Sequence, residues 1–193
     1  MIRRCLPVLF AALALLAGGC SPQAPAFNNV DLTGAQYARD FALADHTGTR
    51  RTLADYRGKV VVVFFGFTQC PDVCPTTLSD LAQVKQKLAA AGADLQVIFI
   101  TVDPERDTQQ VLAQYVTGFD PSFVALRGSA EEIERTAKEY KVFYQKVPGK
   151  TPSSYTIDHS AGSYVYDRDG RLRLFLKHAQ GVDAIVGDLK RLL

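Results

Sequence analysis

The run Val60-Val-Val-Val-Phe-Phe65 constrains this chain more than any other segment. It is too short for a typical helix, and its β-branched and aromatic residues favour a strand. It shows no alternation of polar and apolar residues, so both faces must be covered, as in the centre of a sheet. Residues 95–101 repeat the pattern, and residues 123–126 give a third, shorter strand. Helical periodicity fills the gaps. Leu78, Leu81, Ala82, Leu88 and Ala89 mark one face of a helix ending near Gly92, residues 108–116 form a second, and the capping box Ser129-Ala-Glu-Glu132 opens a third that runs to Tyr140. Strands alternating with helices predict an α/β fold with a mostly parallel central sheet and helices on both faces. Two hairpins add antiparallel strands: residues 41–43 and 51–53 around His46-Thr-Gly48, and residues 163–166 and 172–176 around Asp169-Gly170 at the sheet's end. A last helix buries Ile185, Val186, Leu189 and Leu192.

At 193 residues and 47% hydrophobic, the chain supports one substantial core. Arg3 and Arg4, an apolar stretch over residues 6–17 and small residues running into Cys20 have the layout of an export signal, too short to span a bilayer. The segment Leu16-Ala-Gly-Gly-Cys20 resembles a bacterial lipobox, with Ala17 where leucine is commonest, which makes Cys20 the expected lipidation site; ordinary cleavage nearby is the alternative. The expected organisation is a signal peptide over 1–19, a Pro- and Ala-containing tether over 20–30, and one domain over 31–193. Of the 22 Lys and Arg, Arg3 and Arg4 belong to the leader, leaving 20 against 20 Asp and Glu. That balance gives no electrostatic case for nucleic acid.

With Cys5 in the leader and Cys20 at the lipid site, Cys70 and Cys74 are the thiols left for chemistry. They follow the first buried strand in Gly66-Phe-Thr-Gln-Cys70-Pro-Asp-Val-Cys74-Pro75-Thr76-Thr77-Leu78. Pro75 at the first helical position makes Cys74 the expected N-cap, where free N–H groups and the helix dipole favour thiolate. A low-pKa thiol pair serves disulfide exchange and metal binding equally well. Three intervening residues give a wider loop than the CxxC of thioredoxin-like redox motifs, without forbidding a disulfide. His159, just before a strand, offers a third donor. In thioredoxin folds the loop entering that strand packs beside the cysteines and usually carries a cis-proline in oxidoreductases, yet no proline follows Pro152 here. Two thiolates and an imidazole suit copper or zinc; soft thiolates favour Cu(I), and a structural zinc site would lack its usual fourth ligand.

Plainer readings exist for each feature. A Cys70–Cys74 disulfide would close a tiny loop and constrain little chain entropy. His46 and His178 read as solvated or packed histidines, Asp72 and Asp158 as turn or cap residues outside the ligand set, and Phe64, Phe65 and Phe67 as core beside the site. Asp103-Pro-Glu-Arg-Asp107 reads as a strand-to-helix connection, capped by Thr108, that shapes the site's rim.

Three ordered segments, residues 66–78, Thr101-Val-Asp-Pro-Glu-Arg-Asp-Thr108 and Asp158-His159-Ser160, resemble the signatures of the Sco/SenC family, and the similarity runs from about Ala35 onward. Gln69 stands where many members have histidine. The resemblance implies a thioredoxin-like fold and a copper site of Cys70, Cys74 and His159, with Cu(I) held by the two thiolates with or without the histidine and Cu(II) by all three. It further implies a copper metallochaperone for the dinuclear copper centre (CuA) of cytochrome c oxidase, with subunit II as partner. The alternative is a thiol-disulfide reductase using Cys70 and Cys74 as its redox pair on the oxidase's copper-ligand cysteines or on other exported proteins. Other periplasmic copper carriers or thiol reductants are further expected partners. Peroxide reduction on a peroxiredoxin-like scaffold fits the Cys-Pro-Asp-Val-Cys arrangement poorly. The expected place is the bacterial envelope, facing the periplasm and lipid-anchored, with the inner membrane favoured.

Overall fold

The computed structural model describes residues 26–151 and 154–193; the expected leader, Cys20 and most of the tether lie outside the described residues. The strands are β1 (Val30–Asp31), β2 (Ala42–Asp45), β3 (Arg50–Thr52), β4 (Val60–Gly66), β5 (Leu95–Thr101), β6 (Val124–Arg127), β7 (Tyr144–Pro148), β8 (Tyr155–His159), β9 (Ser163–Tyr166) and β10 (Leu172–Leu176). The helices are α1 (Val73–Lys87), α2 (Gln109–Thr117), α3 (Ala130–Glu139) and α4 (Val182–Leu189). Among the described residues no helix is long and apolar enough to cross a membrane.

The main sheet has the order β1-β10-β9-β4-β5-β6-β2-β3. Its centre is parallel: β4 pairs with β5 from Val60↔Leu95 to Gly66↔Thr101, and β5 pairs with β6. Antiparallel strands flank that centre on both sides, with β9, β10 and β1 on one edge and β2 and β3 on the other. Every residue of β4 and β5 is buried, as their mainly apolar runs require, and the polar Gln96 inside β5 donates its amide to the Val97 and Ser122 carbonyls. Val60, Val62 and Phe64 face the core under α1, α2 and α4, while Val61, Val63 and Phe65 face the core under α3. Helices therefore cover both faces, and β4 delivers its C-terminal end between two hydrophobic layers.

Local chemistry fixes the connections. The Ser129–Glu132 capping box forms at the start of α3, and Thr108 caps α2 by accepting the Val111 N–H. The first hairpin turns around Asp45, whose carboxylate accepts from Thr47, Thr49 and Arg51. Burial alone would raise this carboxyl, but those hydrogen bonds outweigh it and hold the pKa at about 2, below the ordinary 3.8. A depressed carboxyl stabilises the fold above its unfolded pKa and loses that contribution as pH falls through its folded value. Acid titration of stability is therefore expected to fall between pH 4 and 2 less steeply in Asp45→Asn than in wild type; parallel curves would remove Asp45 as a contributor.

At the N-terminal end, Asn28 and Asn29 are tied to the fully buried Asp188 of α4 by backbone and side-chain N–H donors at 2.8–3.0 Å. Asn28 and Asn29, inside the stretch whose composition reads as tether, are thus joined to the domain by α4. The β7–β8 hairpin is a separate two-stranded sheet that the sequence pattern did not reveal. β8 alternates over its five residues, but Ile157 is the one wholly buried side chain of the pair and β7 carries Gln145, Lys146 and Pro148, so the signal is too short and too polar to mark a hairpin.

Candidate metal centre

β4 ends at Gly66, and the chain turns through residues 67–72 into α1, which brings Cys70 to a half-buried position and Cys74 to a fully buried one. The helix begins two residues earlier than the proline suggested: Asp72 is the N-cap, Cys74 lies in the first turn, and the Thr76 N–H donates to the Asp72 carbonyl at 3.1 Å. The reason is that the first turn's N–H groups all lack intrahelical acceptors, so proline is tolerated there beyond its first position. The Cys74 N–H points instead at the Cys70 Sγ, 3.4 Å away, so one thiol partly caps the turn that holds the other.

His159 closes β8 and reaches the pair from the other side. Its Nε2 lies 3.5 Å from the Cys74 Sγ, and the three donor atoms all lie within 4.8 Å of one another. Two sulfurs bound to one ion at about 2.3 Å each stand at most about 4.6 Å apart, so the site can close on an ion with little movement. The His159 Nδ1 is 2.9 Å from the Ser160 carbonyl, which can only accept; Nδ1 therefore carries the proton and Nε2 offers its lone pair towards Cys74. The imidazole sits edge-on between Phe64 and Phe67, with ring centroids 6.2 and 5.9 Å away. Burial lowers its pKa, against the opposing influence of Ser160 and Asp158, and keeps it in the neutral form a metal requires.

Cys74 corrects the expectation of an acidic pair. Burial, reinforced by Cys70, drives the Cys74 thiol well above its ordinary value. Desolvation outweighs the helix terminus here because Cys74 is wholly removed from solvent. Such a sulfur is a poor free nucleophile, but a soft cation that replaces its proton supplies the missing charge. Both thiols are free.

The segment after β5 braces the site. Asp107, fully buried and with its carboxyl raised by burial, accepts from the Thr68 N–H at 3.1 Å and from the hydroxyl of Thr101 at 2.6 Å, tying the cysteine loop to β5. Asp103 pairs with Arg106 and accepts the Tyr155 hydroxyl at 2.8 Å. This is the rim-shaping role the sequence suggested for residues 103–107. His46 accepts the Ala125 N–H at 3.1 Å and His178 contacts the Thr77 hydroxyl at 3.3 Å; neither joins the cluster. Asp72 and Asp158 are exposed. Phe65 packs on Tyr140 on the far face of the sheet. A cleft of about 560 Å³ between residues 33–39 and the β9–β10 hairpin contains none of the three donors.

Two residues escaped the sequence reading. A Cβ on Gly66 would stand 2.7 Å from the Cys74 Sγ and 2.8 Å from Phe99, so only glycine leaves room for the sulfur. The signal was a glycine ending an otherwise apolar strand. Tyr115 is the second: it packs tilted against Phe99 and edge-on against Phe119, and its buried hydroxyl has no hydrogen-bond partner.

A buried strand leading to two thiols at a helix start, faced by a neutral histidine, defines a thioredoxin-like domain with a soft-metal donor set. The SCO1/SenC family profile matches residues 30–193, and the chain belongs to that family. It is 41% identical over 154 residues to the mitochondrial SCO2 homolog of Bos taurus, covering 79% of this chain and 58% of that one, so it spans less than two thirds of the mitochondrial relative. Among solved structures it resembles copper-bound ScoI of Bradyrhizobium japonicum, with a TM-score of 0.73 and 39% identity over 80% of this chain and 98% of that one. It also resembles BsSco, described as having a disulfide switch and as a member of the Sco family of cytochrome c oxidase assembly proteins, with a TM-score of 0.64 and 25% identity over 85% and 96% of the two chains.

Proposed function

We propose that this chain binds copper through Cys70, Cys74 and His159 and delivers it to the CuA centre on subunit II of cytochrome c oxidase. The observation that carries the reading is the meeting of two free thiols and a histidine with its Nε2 lone pair turned inward, all within 4.8 Å. Thiolates suit Cu(I), and the added imidazole suits Cu(II). The copper-bound relative and the oxidase-assembly description of BsSco support the cargo and the destination. A buried sulfur that ionises only when metal replaces its proton suits a carrier that must take up copper and release it again. A lipid anchor on Cys20 would hold the domain at the periplasmic face of the inner membrane, within reach of the oxidase and of periplasmic copper carriers.

The test is an anaerobic Cu(I) titration of the reduced chain, comparing wild type with Cys70→Ser and Cys74→Ser, beside oxidase activity in a deletion strain grown in low copper. Each substitution is expected to abolish tight Cu(I) binding, and the strain to lack CuA. Unchanged binding in both variants would reject the site, and normal CuA assembly would reject the destination.

A second reading is favoured by the half-exposed Cys70 beside the buried Cys74. Attack by the Cys70 thiolate on a substrate disulfide, resolved by Cys74, would oxidise this pair to a disulfide and leave the substrate as two thiols. Cysteine-bearing copper ligands on the oxidase, or thiol reductants of the periplasm, would be the partners of that exchange.

A further inference from the structure

The histidine and the thiols are carried on separate parts of the fold. β7 and β8 pair with each other and not with the main sheet. At its base the hairpin is held by Ile157 in the core and by Ser160, whose N–H donates to the Phe143 carbonyl at 2.9 Å. Ser160 also accepts from the His159 Nδ1, which turns the ring from its own side of the hairpin, but none of these contacts reaches the cysteine loop.

Arg106 makes the cross-connection. Its Nη1 donates to the Gln69 Oε1 at 3.0 Å, one residue before Cys70, and to the Tyr155 carbonyl at 2.9 Å, at the start of β8. The guanidinium lies 3.6 Å over the Tyr155 ring and 5.8 Å from the Phe67 ring, which itself packs on His159. The fully buried Asp103 orients both partners, accepting from the Arg106 Nε and from the Tyr155 hydroxyl. A guanidinium sets these donors in one rigid plane that also lies over the Tyr155 ring, an arrangement that a lysine ammonium does not reproduce.

We propose that Arg106 and Tyr155 are positioning residues that set His159 against the Cys70–Cys74 pair and so determine whether the site takes copper through three donors or two. The inference rests on the copper reading above. Losing the brace removes the tie between β8 and the cysteine loop, so the Ser160-bound imidazole is no longer set against the sulfurs, while Asp107 and α1 still hold the thiols. Cu(II), which needs the nitrogen, therefore suffers, and Cu(I) does not.

The experiment is anaerobic titration of the full chain with Cu(I) and Cu(II), following the thiolate-to-Cu(II) charge-transfer absorption, in Arg106→Gln, Arg106→Lys, Tyr155→Phe and His159→Ala, and in each brace variant combined with His159→Ala. Arg106→Gln and Arg106→Lys are expected to weaken Cu(II) by about 10- to 100-fold, the range for residues that orient a metal ligand, and to shift the absorption. Tyr155→Phe should do the same to a smaller extent. In the His159→Ala background these effects should vanish. Arg106→Lys keeps a cation beside Asp103 and Tyr155→Phe keeps the ring, so these two carry the test if Arg106→Gln fails to fold. Wild-type Cu(II) binding in the brace variants, with binding weakened in His159→Ala, would overturn the proposal and leave the metal site standing. Equal losses of Cu(I) and Cu(II) that persist without His159 would also overturn it. Wild-type Cu(II) binding in His159→Ala itself would overturn the copper reading.

Discussion

His159→Ala is expected to weaken Cu(II) binding by about a hundredfold while leaving Cu(I) binding nearly intact. The size follows from structural zinc sites, where four ligands together supply about 10–16 kcal/mol, or roughly 3 kcal/mol for each. The asymmetry follows from the two oxidation states: Cu(I) is satisfied by two thiolates, whereas Cu(II) favours the harder nitrogen donor. The structure sharpens this expectation, because the Nδ1 proton is committed to the Ser160 carbonyl and Nε2 is free to bind. Glutamine cannot reproduce a fixed lone pair in a slot between Phe64 and Phe67, so His159→Gln should behave like alanine. Paired Cu(I) and Cu(II) titrations decide the matter, and equal losses for both ions would count against a two-plus-one donor site.

Gly66→Ala is expected to damage stability and copper binding together. The added methyl group would meet the Cys74 Sγ at 2.7 Å and Phe99 at 2.8 Å, in a fully buried strand end with no free volume. Overpacking of this kind costs about 1–3 kcal/mol, and each kcal/mol lowers Tm by roughly 2–4 °C in a chain of this size. The Cys74 sulfur and the Phe99 ring must both give way, and because the sulfur is one of the proposed ligand atoms, Cu(I) affinity should fall even in molecules that remain folded. Thermal unfolding and Cu(I) titration of the variant measure the two effects separately. Native Cu(I) affinity would show that the sulfur has room the geometry denies it.

These two substitutions also mark where the sequence was legible. The apolar runs at β4 and β5 specified a doubly covered parallel centre because strands buried on both faces must lack polar alternation. Ser129 and Thr108 announced their helices through hydrogen bonds confined to a few neighbouring residues. The thiol pair and His159 could be singled out by residue type, and the three motif segments tied them to one family. Pro75 misplaced the helix start by two residues, because it marks a first turn without fixing a position within it.

What the sequence by itself determined was the set of strands and helices with strong periodicity and the identity of the three donors. The upward shift of the Cys74 thiol was decided only by the tertiary structure, since its burial reverses what a helix terminus alone would do. So were the β7–β8 hairpin, whose two strands bury a single side chain fully, the space that Gly66 leaves for sulfur, and the Arg106 link between Gln69 and Tyr155. The physical reason is range: periodicity and caps act over a few residues, whereas desolvation, close packing and a bridging guanidinium depend on segments that only folding brings together.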